Sequence, residues 1–312
     1  MTMGTDPHRK PFELSLLGVP SSAGSYAAGQ ERAPRALREA GLIRALLDAG
    51  IGVIDRGDLP EQIWAPDSAA PRAQNAAAVV ESVTALAGRV HDELERQRRV
   101  LVVGGNCTVA TGAVAGLQRH LRTPCGIVYV DRHFDMNTPE TTREGALDWM
   151  GLGHALDLPG ALTEYAAAFD TRPLLGPGRV AFLGVDPSQA TDFEREHVAR
   201  LGLDVTTQSE VIDDPVRAAH SALAALQDDD PFVLHVDVDV LDFTDAPLAE
   251  NTSGRNLGPS LAQLADALRV VVADSRWRVL TLGEINPTRA AGVPRMLPHL
   301  NETLAWILRS AA

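Results

Sequence analysis

Residues 126–137 read GIVYVDRHFDMN, and residues 231–239 read PFVLHVDVD. Each starts as an apolar run of strand length and breaks off into acids. A strand that is apolar on successive residues, rather than on alternate ones, belongs to a sheet covered on both faces, as parallel α/β sheets are. Open parallel sheets bind their ligands at the carboxyl ends of the strands. The acids therefore fall on the edge where chemistry is expected.

Working outward, similar runs occupy 14–20 (LSLLGVP), 51–55 (IGVID), 100–105 (VLVVGG), 180–186 (VAFLGVD) and 277–285 (WRVLTLGEI), with the less apolar LDVTT at 203–207. Amphipathic periodicity between them predicts helices over 34–50, 73–99, 108–121, 192–202, 214–227, 259–272 and 297–311. This alternation predicts one α/β domain over 1–312 with a mostly parallel sheet. Residues 1–11 are expected to form a flexible N-terminus, and Pro-rich 59–72 an irregular surface loop.

The 312 residues are 45% apolar, enough for a sizeable core, and 28 Lys and Arg against 41 Asp and Glu give a formal charge of −13. That balance argues against sequence-independent binding of nucleic acid or an anionic membrane, which needs basic residues to meet phosphate. It suits a cationic small molecule. Two cysteines, Cys107 and Cys125, are too few to staple such a chain and point to a reducing compartment. With no secretory signal and no apolar run of membrane-spanning length, a cytoplasmic protein is expected.

The residues just past the strands carry the chemistry. They are Asn106-Cys107 after a double glycine, Asp131-Arg132-His133-Phe134-Asp135, Asp186, Asp237-Val238-Asp239 and Glu284. Taken singly, a D-x-D is an ordinary strand end or cap, and a double glycine is a turn. Together, so many acids at one edge would repel one another unless cations sat among them. Side chains two apart in extended chain face the same way. Asp131, His133 and Asp135 therefore converge if strand geometry persists for four residues, and Asp237 and Asp239 converge from another strand by the same rule. Mixed carboxylate and imidazole donors suit Mn²⁺ or a similar dication. Glu250, on the loop after the D-x-D strand, is a candidate substrate contact. Trp149 is read as a pocket wall or as a core or subunit contact. His154 is read as packed, and Arg132, pointing away from the ligands, as paired with an acid.

These segments resemble the arginase–agmatinase (ureohydrolase) family. Its G-G-D-H, D-A-H-x-D and D-x-D segments and late glutamate stand here, in order, as Gly104-Gly105-Asn106-Cys107, Asp131-Arg132-His133-Phe134-Asp135, Asp237-Val238-Asp239 and Glu284. Leu17-Gly18-Val19-Pro20 is similar to the family's first strand, and Asn137-Thr138-Pro139-x-Thr141-Thr142 to its substrate loop. The resemblance implies a three-layer α/β/α fold on a mostly parallel eight-stranded sheet. It also implies two Mn²⁺ ions per chain, bridged by a hydroxide that attacks a guanidino or amidino carbon and releases urea or a substituted urea. By the same match, Asp131 and Asp237 bridge the metals, Cys107 and Asp135 complete one site, and His133 and Asp239 the other. Glu284 holds the guanidinium, while Asn137 and Asp186 contact the far end of the substrate. Trimers or hexamers are common in the family, so a homo-oligomer is implied.

The chain also departs from the pattern. Cys107 replaces a histidine ligand, and a thiolate there adds negative charge and favours softer metals. Asn106 replaces an aspartate. Asp148 stands where arginases have a histidine proposed to shuttle protons, so Asp135, Glu284 and Asp148 are the candidate catalytic residues. Glu144 replaces a serine that contacts the substrate carboxylate, which disfavours plain L-arginine. Two alternatives to a ureohydrolase remain. One is a formimidoyl or amide hydrolase on the same scaffold, and the other is a catalytically weak binding or regulatory protein.

If Cys107 weakens one metal position, Cys107→His raises Mn²⁺ affinity. An unchanged titration would show that position 107 is not a ligand.

Overall fold

The computed structural model describes residues 13–227 and 229–311. The flexible segment expected at 1–11 lies outside them. Eight strands form one sheet: β1 (Glu13–Gly18), β2 (Gly52–Asp58), β3 (Arg99–Val103), β4 (Gly126–Val130), β5 (Val180–Val185), β6 (Asp204–Thr207), β7 (Phe232–Asp237) and β8 (Trp277–Gly283). Their order is β2-β1-β3-β8-β7-β4-β5-β6, and every neighbouring pair is parallel. The helices are α1 (Ala33–Glu39), α2 (Leu42–Asp48), α3 (Ala76–Glu95), α4 (Val109–Leu121), α5 (Gly151–Ala155), α6 (Thr163–Ala166), α7 (Asp192–Leu201), α8 (Gln208–Asp213), α9 (Pro215–Ala224), α10 (Leu261–Ala273) and α11 (Met296–Leu308).

Alternate strand residues enter two separate cores. Leu14, Leu101, Val103, Val128, Leu234 and Leu280 pack with α1, α2 and α8–α11 on one face. Val100, Val102, Ile127, Tyr129, Phe182, Val233 and Val279 pack with α3 and α4 on the other. Burial on both faces is why the strands read as continuous apolar runs. The result is the three-layer α/β/α sandwich. Among the described residues, no helix is long and apolar enough to cross a membrane.

The strands fall where the apolar runs place them, but the helices differ in three respects, one being α8 (Gln208–Asp213), where no helix is expected. The helix expected over 34–50 is broken at Gly41, whose φ of 93° interrupts it between α1 and α2. Residues 146–175 contribute α5, α6 and a set of core side chains that no periodic pattern signals, among them Leu147, Met150, Leu152 and Tyr165.

Helix α4 lies against α3 because Gly112 and Gly116 leave room for it. A Cβ on Gly116 would stand 2.7 Å from the Ala87 carbonyl and 2.7 Å from Val90 Cβ. Gly116→Val should therefore destabilise the protein by about 1–3 kcal/mol through overpacking. This is read as a lower denaturant midpoint at unchanged slope.

Candidate metal centre

The four central strands, β3, β8, β7 and β4, deliver the site at their carboxyl ends. After β3, Gly104 (φ 86°) and Gly105 (φ 80°) turn the chain tightly. A Cβ at Gly104 would collide with Pro34 at 2.6 Å, so the turn that presents Cys107 requires glycine. After β4 the chain bends at 131–133, and Asp131 and His133 still reach the same cluster. Asp135 then adopts φ 50°, and after β8 Glu284 adopts φ 64°. Such backbone is rare outside glycine and tends to collect at functional sites.

The ligand atoms meet, but not by strand alternation: the chain bends at 131–133, and Val238–Val240 form a 3-10 turn that carries Asp239 back toward Asp237. Those of Asp131, His133, Asp237 and Asp239 lie within 4.8 Å of one another, and those of Cys107, Asp131 and Asp135 form a second such group. Asp131 belongs to both. The Cys107 thiol donates to Asp237 Oδ2 at 3.1 Å, and His235 Nε2 lies 3.4 Å behind the sulfur. His133 Nδ1 is 3.3 Å from both Asp131 Oδ1 and Asp239 Oδ2. Backbone amides hold the acids in place: His133 N donates to Asp131 at 2.6 Å, Asp239 N to Asp237 at 2.7 Å, and Cys107 N to Glu284 at 2.9 Å. The second oxygen of Glu284 accepts from Gln30 Nε2, and Asp135 accepts from the Tyr129 hydroxyl.

The electrostatics follow from burial. Desolvation, and then neighbouring carboxylates, push Asp131, Asp148, Asp237 and Glu284 well above the usual carboxylate range. Burial raises Asp135 to about 7 even with His133 beside it. Burial opposes charge on His133, but Asp239 and Asp131 outweigh it and push its pKa well up. Asp239 is also buried, yet the charge of His133 and its hydrogen bond bring it below the ordinary value.

The residues fit divalent ions. Among the described residues, Asp239 Oδ1 is buried with no hydrogen-bond partner, although buried polar atoms are nearly always paired. Oxygen and imidazole donors converge in two groups, and a dication in either would favour the ionised form of these acids.

Tyr26, Cys107, His133, Asp135, Asp148, Trp149, Asp237, Asp239, Asn251 and Glu284 line the pocket above this cluster. Larger surface clefts lie elsewhere. One, bordered by Pro124 and Arg179, opens at the opposite edge of the sheet. Chemistry rather than size selects the site.

Residues 12–297 match the arginase family over most of the chain's length. The chain belongs to the arginase family. An arginase from Bacillus caldovelox is 31% identical over 241 residues, covering 75% of this chain and 78% of that protein. A crystal structure of the Bacillus caldovelox arginase superposes with a TM-score of 0.80 at 25% identity, covering 96% and 97% of the two chains. A Trypanosoma cruzi formiminoglutamase shares the fold, with a TM-score of 0.74 at 17% identity over 96% and 93% of the chains.

Within the arginase-family pattern, the structure sorts the candidate residues. Cys107, Asp131, His133, Asp135, Asp237 and Asp239 come together, with Glu284 and Asp148 on the same pocket. Asn137 is buried outside the lining, its Oδ1 accepting from Thr141 and Thr191. Asp186 caps a turn by accepting from Ser188 N and Oγ. Glu144 is exposed, and its carbonyl accepts from Gln74. Glu250 is held by Asn286 and Arg289. Asn106 Oδ1 accepts from Thr108 at the start of α4.

Trp149 is a pocket wall, its ring 6.4 Å from that of His133 and within 8° of parallel. His154 packs as expected, with Nδ1 2.6 Å from the Met150 carbonyl oxygen. Among the described residues, Arg132 pairs with no acid. Its guanidinium donates to the carbonyls of Leu241, Ser253 and Leu257. The sequence reading passes over Tyr26, Gln30, Tyr129 and His235. Of these, His235 carried a signal, as a polar residue within the apolar run Phe232–Val236.

These shifts predict how the metal-stripped protein responds to pH. A carboxyl raised in the fold contributes stability at low pH and loses it as pH climbs through the folded value, and a raised histidine does the same. Burial lowers His235 to about 3 and His154 to about 4, an effect that favours stability with rising pH only up to ~6.5. Above that point the raised groups act alone. In chelator the melting temperature should fall from pH 6.5 to 8.5, and Mn²⁺ should recover more at the upper end. A flat or rising profile would contradict the charge balance described here.

Proposed function

We propose that this protein is a binuclear metal hydrolase that cleaves a C–N bond of a guanidino or amidino compound, yielding urea or a substituted urea from a guanidine. The observation that carries this reading is the pair of ligand groups sharing Asp131, with Glu284 on the same pocket. Membership of the arginase family supports the reaction class.

Asp131, Asp237, His133 and Asp239 would hold one dication, and Asp131, Asp237, Asp135 and Cys107 the other, Mn²⁺ being the expected metal. When bound, the ions supply a water acidic enough to act as nucleophile near neutral pH.

The chain's own groups do the rest. Glu284 keeps acceptor capacity after its bonds to Cys107 N and Gln30, since each carboxylate oxygen has two lone pairs. It can take charge-assisted hydrogen bonds from a guanidinium and fix its plane. Asp148, raised by burial, keeps a proton that it can give to the departing amine. Trp149 and Tyr26 wall the pocket and limit the size of the substrate. The two cysteines are free and buried, which suits a cytoplasmic enzyme.

After dialysis against Mn²⁺, elemental analysis should find close to two ions per chain, and a panel of guanidines should include one that releases urea. Cleavage without urea would move the reading to a formimidoyl or amide hydrolase. Two ions with no turnover on any amidine would indicate a binding protein. Asp239→Ala should abolish turnover with the fold intact, as judged by circular dichroism, and full activity in that variant would sink the binuclear assignment.

A further inference from the structure

Arg132 sits between two ligands of the centre, yet its side chain turns away from the pocket and is only 2% exposed. It runs beneath the loop that joins Val240 to Gly258. Its Nη2 donates to the Leu241 carbonyl at 3.1 Å and to the Leu257 carbonyl at 2.5 Å, and its Nη1 donates to the Ser253 carbonyl. The loop is moulded around this group. A Cβ at Gly254 (φ 63°) would stand 2.5 Å from Nη1, and one at Gly258 (φ 111°) 3.0 Å from Nη2.

The contacts continue to the metal centre. Ser253 accepts from Arg132 through its carbonyl and donates its amide to Asn251 Oδ1 at 3.0 Å. That bond fixes which way the Asn251 amide faces. Its Nδ2 is turned to Asp239 Oδ2 and donates at 3.1 Å. Asp239 is thereby held on one oxygen, while Oδ1 stays buried and unpartnered.

We propose that Arg132 is a positioning residue: it latches the 241–258 loop and, through Ser253 and Asn251, orients Asp239 for its metal. The inference rests on reading the cluster as a dication centre. Only arginine suits the task, because its planar fork reaches carbonyls in three directions while a lysine ammonium offers one point charge. Groups that orient metal ligands typically set affinity by about 10- to 100-fold.

The probe is Mn²⁺ binding to the full chain by calorimetry, with backbone hydrogen exchange over residues 249–258 as the second readout. Arg132→Lys should speed exchange in that loop and weaken Mn²⁺ binding by about 10- to 100-fold. Asn251→Ala should weaken Mn²⁺ binding similarly while speeding exchange only at the Ser253 amide, whose acceptor it removes, and leaving the rest of the loop near wild type; the double variant should lose little more affinity.

A fall in melting temperature with wild-type Mn²⁺ affinity in Arg132→Lys would show that Arg132 serves only the fold of the loop, and would overturn the proposal. If Arg132→Lys does not fold, Asn251→Ala decides alone, and unchanged affinity there overturns it. Failure of the wild-type chain itself to bind Mn²⁺ would overturn the dication reading first and the latch with it.

Discussion

Mutual repulsion among buried acids is the constraint on which this architecture turns. Asp131, Asp135, Asp148, Asp237, Asp239 and Glu284 are all buried at one edge of the sheet. An isolated buried carboxylate is costly, and several together are untenable without compensation. Backbone amides offset part of the cost. Asp131, Asp237 and Glu284 each accept from a main-chain N–H just past a strand, and Asp148 from Trp149 N in the 3-10 turn that precedes α5. His133 between Asp131 and Asp239, and Arg132 behind them, supply positive charge. What remains uncompensated is the demand that divalent ions meet.

The fold was legible in the sequence because a parallel sheet buries both faces of its strands. Runs such as VLVVGG and GIVYVD have one structural use, and the residues after them can lie only at the carboxyl edge. The acid cluster was legible in place but not in conformation, since residues 131–133 bend and Val238–Val240 turn as a 3-10 helix rather than continuing extended. Direction was not legible once the chain left the strands. Asn137, Glu144 and Asp186 sit on turns whose side chains are claimed by Thr191, by solvent and by Ser188 respectively, and no local pattern reports that. Tyr129 occupies an inward position in an apolar strand, where an aromatic reads as core. The break at Gly41 was hidden because a single glycine inside an amphipathic pattern is compatible with a continuous helix.

Two departures from the family's motifs fall on the same site and have opposite charge. Cys107 replaces a neutral imidazole with a group that is anionic when it binds a metal. Arg132 replaces an alanine between two ligands with a permanent cation. The thiol is backed by His235, itself fixed by Thr281 at 2.7 Å, so the sulfur sits in a polar cradle rather than in hydrocarbon. Both Nη atoms of the guanidinium donate to carbonyls rather than to acids, and among the described residues its buried Nε has no partner, so its charge is not spent on a carboxylate of its own. In a low-dielectric site its field extends to neighbours beyond contact distance.

The strand order carries a consequence for how the chain is made. Strand β3 pairs with β8, and β7 stands between β8 and β4, so the two central seams of the sheet join the middle of the chain to its far end. During synthesis β1, β2 and β3 can assemble, and so can β4, β5 and β6, but β3 and β4 each keep a bare edge until β7 and β8 emerge. Long-range parallel pairings of this kind form late and leave edges open to association with other chains. The acid cluster straddles those same seams. It therefore comes together only after nearly the whole chain has left the ribosome, and neither half can gather the full ligand set beforehand.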